Sequence, residues 1–379
     1  MVVQCRQWLV GSCRPVAPGW QTMATASPEG ALPAHGGSVA RPFALRDVTA
    51  FRRLASQGVF FDLRQSLLHG SSPLASALLG LVTHQHWGAI TCVHEPPLEG
   101  SNGQPRRAFC QVLPRPDGVS WDLSFLYPAL DQASWASRSW LDQLQYMMVL
   151  GGQRQVERLC ARAPEDGAIE ETLRSAGLCV VGREEVFCLA QSVKHAPQPK
   201  GLLRMTWEHR QAVRVLRQAV QPRLRRQAER MLPCDEVAYP QPPSTATRDE
   251  FVWQIDDQTM AYLSLSQTRR AAWLDAVVRP EVRAEVAPHL RYLVGLAEPN
   301  HQQPLYCAVP DHSIGLGWVL RTLSFEAYSR QSLLVGFPLA RVGLRRPMVI
   351  SGLEGSVDIG TPVQGISRPG VDPNGGPCH

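Results

Sequence analysis

An internal repeat is the feature that most restricts what this chain can fold into. Two stretches of similar length, residues 42–190 and 202–342, carry the same landmarks in the same order. One has Trp121-Asp-Leu-Ser-Phe-Leu-Tyr-Pro128 and the other Trp273-Leu-Asp-Ala-Val-Val-Arg-Pro280, with equal spacing from Trp to Pro. An apolar-periodic stretch follows each proline: Trp140, Leu144, Met147 and Met148 in the first, Val282, Val286, Leu290 and Leu293 in the second. Spacings of three and four put such residues on one face of a helix. A short apolar strand then ends in proline and acid, at Pro164-Glu165 and at Pro310-Asp311, and a second helix ends at Ala176-Gly177-Leu178 and at Leu323-Ser324-Phe325. Arg183 and Arg330 open a final strand over 185–189 and 332–335. From the proline onward the offset between copies holds at 146 to 147 residues (Pro164 to Pro310, Arg183 to Arg330). Four landmarks in register describe a duplicated strand–helix–strand–helix–strand unit.

The front of each copy completes the unit. Residues 43–47 and 202–207 read as opening strands, each followed by helical sequence. Two further strands follow in each, over 84–94 and 107–113, then over 251–255 and 260–266. This order predicts an α/β fold with a mixed sheet and helices on both faces. Residues 1–41, rich in Pro, Gly, Ala and Ser without periodicity, read as a disordered leader, with Met23 as an alternative start. Residues 191–201, with His195-Ala-Pro-Gln-Pro-Lys200, read as a linker, and 343–379 as a disordered tail.

Composition narrows the function classes. Net charge is +5, and of 38 basic residues only Lys194 and Lys200 are lysines. Arginine in place of lysine follows from a GC-rich genome more cheaply than from a ligand, and nucleic acid is not an expected partner. Seven arginines between Arg204 and Arg230 form the one strong charge cluster (Arg210, Arg214, Arg217, Arg223, Arg225, Arg226, Arg230). Without interleaved aromatics it reads as a solvated helix face, although phosphate contact would need the same charges. None of the ten cysteines forms a C-x-x-C pair, and most sit in apolar runs, as in a reducing, cytoplasmic setting. No apolar run is long enough for a membrane helix. His84, His86, Cys92 and His94 share strand parity, but an extended strand separates the first and last by about 33 Å. Two histidines alone make no zinc site, so no metal is expected.

The order β-α-α-β-β-β-α-β-α-β, with the text from Val156 to Asp166, Leu173-Arg-Ser-Ala-Gly-Leu178 and Arg183-Glu-Glu-Val-Phe187, resembles the Gcn5-related N-acetyltransferases. Residues 272–280 resemble that family's fourth strand. The resemblance implies two tandem acyl-CoA N-acyltransferase-like domains, 42–190 and 202–342, in a monomer with pseudo-twofold symmetry. It implies acetyl-CoA as co-substrate and a small-molecule or peptide amine as acceptor, attacked directly. The family's Gly-rich pyrophosphate loop is missing from both copies: after Pro128 no glycine comes before Gly151, and after Pro280 none before Gly295. Cofactor contact is therefore expected at Val277, Val278, Arg279 and Arg283, where charge would replace the loop's backbone amides. Pro288 falls within the helix expected there, which predicts a kink or a shifted start.

In place of the family's tyrosine acid stand Leu173 and Leu320, which cannot protonate a thiolate. Tyr328 is the substitute candidate, and Asp275 the candidate base. Asp122 and Asp275 differ by one residue in their distance from the following proline, which predicts opposite sheet faces. An N-acetyltransferase is the first reading. A catalytically degenerate binding or scaffolding protein of the same fold is the alternative.

Overall fold

The computed structural model describes residues 39–70, 72–83, 88–96, 106–115, 117–190, 196–229, 247–297 and 303–338. The leader up to residue 38, residues 191–195 of the linker, the tail, His84, His86 and Arg230 lie outside the described residues. The chain divides into two units, Met1–Arg341 and Val342–His379, and everything described belongs to the first.

The first half runs β1 (Val39–Pro42), α1 (Val48–Leu54), β2 (Val59–Phe60), α2 (Leu63–His69), α3 (Pro73–Val82), β3 (Ile90–Glu95), β4 (Ala108–Pro114), β5 (Ser120–Tyr127), α4 (Ala136–Gln153), β6 (Arg158–Pro164), α5 (Gly167–Ser175) and β7 (Cys179–Leu189). The second runs β8 (Leu202–Arg204), α6 (His209–Val220), α7 (Arg223–Glu229), β9 (Thr247–Ile255), β10 (Gln258–Gln267), β11 (Ala272–Val278), α8 (Ala287–Leu296), β12 (Leu305–Pro310), α9 (Ile314–Thr322) and β13 (Glu326–Gly336). The second half has the expected order, and the first adds β2 and one more helix before β3.

Three local expectations shift. Residues 45–47 form a 3-10 turn rather than a strand, because Asp47 turns inward to Arg41 at 2.7 Å and accepts the Ala44 amide. Pro288 sits in the first turn of α8, where its missing N–H costs nothing, so residues 280–286 precede the helix as a 3-10 run. The final strands begin at Cys179 and Glu326, several residues before the arginines.

All strands belong to one sheet, in the order β1-β3-β4-β5-β6-β13-β7-β12-β11-β10-β9-β8, with β2 beside β5. The halves exchange their last strands. β13 lies on β6 of the first half, and β7 lies on β12 of the second. At the centre β7 and β13 run antiparallel with Glu184 opposite Gln331, and those two residues are repeat equivalents. A pseudo-twofold axis therefore passes between them, as in an isologous dimer. Each strand carries a bulge, at Val181 and at Tyr328, and these too are equivalents.

One sheet face is covered by α4 and α5, packed through Trp140, Leu144, Met147 and Leu173, and by α8 and α9, packed through Leu290, Leu293 and Leu320. On the other face α1 and α3 cover Phe109 and Phe125, and α6 covers Val252 and Tyr262. The two remaining helices cross over. Leu67 and Leu68 of α2 pack on Trp273 and Tyr306 of the second half, and Ala228 of α7 packs on Cys160 and Val335.

Candidate active site

Each half contains a fork. β5 pairs in parallel with β6 through three residues only, Ser120 to Asp122, and β11 pairs with β12 only from Ala272 to Leu274. Beyond those points the strands part. β6 and β12 both end in proline at the level of the pseudo-axis, and the exchanged strand runs on past them: β13 borders the first fork and β7 the second.

The first fork is filled by the chain itself. β2 pairs with the free edge of β5, Val59 opposite Leu126 and Phe60 opposite Phe125, and the Phe61 amide donates to Ser124 O at 3.0 Å. Phe61 is fully buried, 5.9 Å ring to ring from Trp140. Gly58 makes the approach feasible: a Cβ there would lie 2.3 Å from the Phe125 ring and 2.7 Å from Leu126 O. No sequence pattern marked β2, since two strand residues between helices carry no periodicity.

The second fork has no such filler among the described residues. Arg279 N donates to Met260 O on the β10 side and Ala272 N to Pro304 O on the β12 side. Alternation then turns the N–H groups of Ala276 and Val278 toward the fork. Among the described residues no backbone group bonds to them. The expected cofactor residues lie along this edge. The Val277 side chain packs under α6 with Tyr262 and its backbone pairs with β10, whereas Val278, whose side chain lies in the core of the other face, turns its backbone N–H to the fork. Arg279 Nε donates to Thr259 O at 3.1 Å and Arg283 Nη2 to His312 O at 3.2 Å. Each guanidinium keeps further donors.

Asp275 stands at the first position beyond the paired residues. It accepts from Trp273 Nε1 at 3.0 Å and Ser264 Oγ at 3.3 Å, and Arg64 Nη1 lies 3.0 Å away. Arg64 comes from α2 of the first half, which sequence reasoning did not connect to this site. It also lies over the Trp273 ring, at 5.7 Å. Tyr328 does not meet Asp275. Strand exchange puts its backbone beside the first fork, and its ring packs at 5.1 Å on Tyr306, which lies 6.4 Å from Trp273. Burial, with Cys188 and Tyr328 adjacent, pushes the Tyr306 hydroxyl up to about 12.

Asp122 and Asp275 lie on the same sheet face, contrary to expectation. A bulge at Ser124 adds one residue between Asp122 and Pro128, which accounts for the spacing difference. Asp122 is held by Arg115 at 2.6 Å. Leu173 and Leu320 are fully buried in the two cores, so neither helix presents an acid at that position. His94 is buried with Nδ1 3.1 Å from Ser139 Oγ, and burial lowers its pKa. The arginine cluster is a solvated helix face only in part: Arg217 lies over the Tyr262 ring and Arg225 is buried on Glu184. Among the described residues no group of three His, Cys, Asp or Glu is placed to hold a metal, and no helix is long and apolar enough to cross a membrane.

Two copies of a mixed sheet with helices on both faces, each forked between its fourth and fifth main strands, settle the architecture. The fold resembles that of the Gcn5-related N-acetyltransferases, in two copies. No family model and no curated protein matches the sequence. Solved structures align with it by fold. A GCN5-related N-acetyltransferase from Sphaerobacter thermophilus aligns over 80% of this chain and 96% of its own, at 14% identity and a TM-score of 0.47. A tandem GNAT protein from the clavulanic acid biosynthesis pathway aligns over 79% and 98%, at 16% identity and a TM-score of 0.45. A GCN5-related N-acetyltransferase from Kribbella flavida aligns over 69% and 93%, at 14% identity and a TM-score of 0.37. At such identities the likeness says nothing of what this chain binds or catalyses.

Proposed function

We propose that the second fork binds acyl-CoA, with acetyl-CoA as the reference donor, and that the chain transfers the acyl group to a small-molecule or peptide amine. The observation that carries this reading is the edge of β11 from Asp275 to Val278, which no strand among the described residues pairs on the β12 side. An extended pantetheine arm could pair with such an edge as a further strand would. Bound there, the group would supply an acyl thioester. The Ala276 or Val278 N–H would polarise its carbonyl and take up the charge that forms on the oxygen when the amine attacks. Arg279 and Arg283, at the start of the 3-10 run, would meet the pyrophosphate by charge. Asp275, fixed by Trp273, Ser264 and Arg64, would orient the amine. Because β2 fills the first fork, one acyl-CoA per chain is expected, and the first half serves the second by delivering Arg64.

A second reading, a binding or scaffolding protein that no longer transfers, is favoured by the two buried leucines where the fold's acid would stand. Calorimetry with acetyl-CoA on the full chain tests the first step. Binding at a stoichiometry of one, weakened by Arg279→Ala and Arg283→Ala, supports the site; no heat and no protection from melting overturns it. Free-thiol release in the presence of an amine panel separates the readings. Binding without release under any amine leaves the scaffold reading in place.

A further inference from the structure

A cavity of about 330 Å³ lies at the pseudo-axis, on the sheet face that carries α5 and α9. Its floor is Arg183 and Glu185 of β7 and Arg330 of β13, and its wall is the flank of α9 that carries Ile314, Gly317, Trp318 and Arg321. This flank is opposite the one where Gly315 meets Arg283, so the cavity is distinct from the second fork.

The repeat explains why the space exists. On the first half's side of the axis, Glu170 of α5 fills the corresponding place. It accepts from Ser332 Oγ at 2.9 Å and lies 3.5 Å from Arg183 Nη2, with Arg174 one helical turn on. The repeat turns Glu170 into Gly317, Arg174 into Arg321, Arg183 into Arg330 and Ser332 into Glu185. The carboxylate has thus moved from the helix to the strand. Glu185 lies 3.4 Å from Arg330 and 3.6 Å from Arg321, so two guanidiniums share one carboxylate from below. Above them, where Glu170 would reach in, the glycine leaves room. Trp318 and Ile314 line that room although 65% and 69% of their surface is exposed. Large apolar side chains left open beside spare guanidinium donors mark a site for a ligand that is apolar at one end and anionic at the other.

We propose that this cavity binds an apolar monocarboxylate. The carboxylate would take the place that Glu170 holds on the other side of the axis, bridging Arg330 and Arg321, and the hydrocarbon part would cover Trp318 and Ile314. Glu165, Glu184 and Asp311 also line the cavity, and their charge would disfavour anions more highly charged than a monocarboxylate.

The test is calorimetry of octanoate into the full chain, with octylamine as the control of opposite charge. Saturable octanoate binding with Kd below about 1 mM is expected. Arg330→Gln should weaken it about tenfold or more. Gly317→Glu restores the self-supplied carboxylate and should abolish it. A Cβ at 317 would lie 3.2 Å from the Phe187 ring, so the exposed Arg330 variant keeps the test valid if Gly317→Glu folds poorly. Saturating acetyl-CoA should leave octanoate binding unchanged, which separates this site from the fork. Equal binding of octylamine, no saturable heat at millimolar octanoate, or unchanged binding in Arg330→Gln overturns the proposal.

Discussion

Glu184 and Gln331 face each other across the central strand pair, each occupying the position the other holds in its own copy of the repeat. They are hydrogen bonded, Gln331 Nε2 donating to Glu184 Oε1. Two glutamates here would oppose like charges at a buried point, and the amide removes that repulsion. Glu184 also holds Arg225 at 3.2 Å and Arg162 at 3.5 Å, which joins α7 and β6 to the axis.

Removing the Glu184 carboxylate leaves a buried guanidinium without its counter-charge. Glu184→Ala should therefore lower stability by about 3 kcal/mol, and Glu184→Gln by about half as much, since the amide still accepts from Arg225. Urea denaturation gives both values. Equal losses in the two variants would mean that packing, not charge, matters at the axis.

His94, His289 and His312 share a direction. Burial lowers the pKa of each, helped at His312 by the Arg225 charge. The unfolded chain takes up these protons near pH 6.5 and the folded chain resists them, so folding is favoured above that pH and loses support as pH falls. Below about pH 6.5, until the folded chain takes up the proton as well, each histidine contributes a slope of up to about 1.4 kcal/mol per pH unit. Urea midpoints measured across this range should fall with pH, and His94→Gln should flatten the slope.

Gly58→Ala would drive a methyl group into the Phe125 ring and the Leu126 carbonyl. The carbonyl is backbone and cannot swing away. A loss of about 1–3 kcal/mol is expected, with faster amide exchange at Phe61 as β2 loosens. Hydrogen exchange that leaves Phe61 protected would remove the argument that Gly58 seats the strand.

Ser324 closes α9 at φ 67°, in the place where Gly177 closes α5 at φ 95°. Ser324→Gly should stabilise by about 1 kcal/mol by relieving a left-handed side chain, and Gly177→Ser should cost a similar amount. Thermal melts of the two single variants check the pair, and changes of equal sign would refute it.

The repeat was readable because its landmarks are prolines, helix ends and apolar periods, all set by local sequence. Strand exchange was not, because β7 has the same alternation whether it pairs with β6 or with β12. That one ambiguity moved Tyr328 away from Asp275 and concealed Arg64. The bulge at Ser124 left a trace, the one-residue difference in spacing, but spacing alone does not distinguish a bulge from a change of face. Along β11 the residue types were informative and the atoms were not: of the two valines expected to touch a cofactor, Val277 faces β10 and Val278 offers a backbone N–H instead of its side chain.

Strand exchange also sets an order of events at the ribosome. β6 is complete at Pro164, but the strand that covers its outer edge begins at Glu326. The first half therefore leaves synthesis with a bare sheet edge, a template for pairing with any other chain. That edge stays open until nearly all of the second half has been made. A nascent chain of this design depends on its own last strand arriving before a neighbour's does.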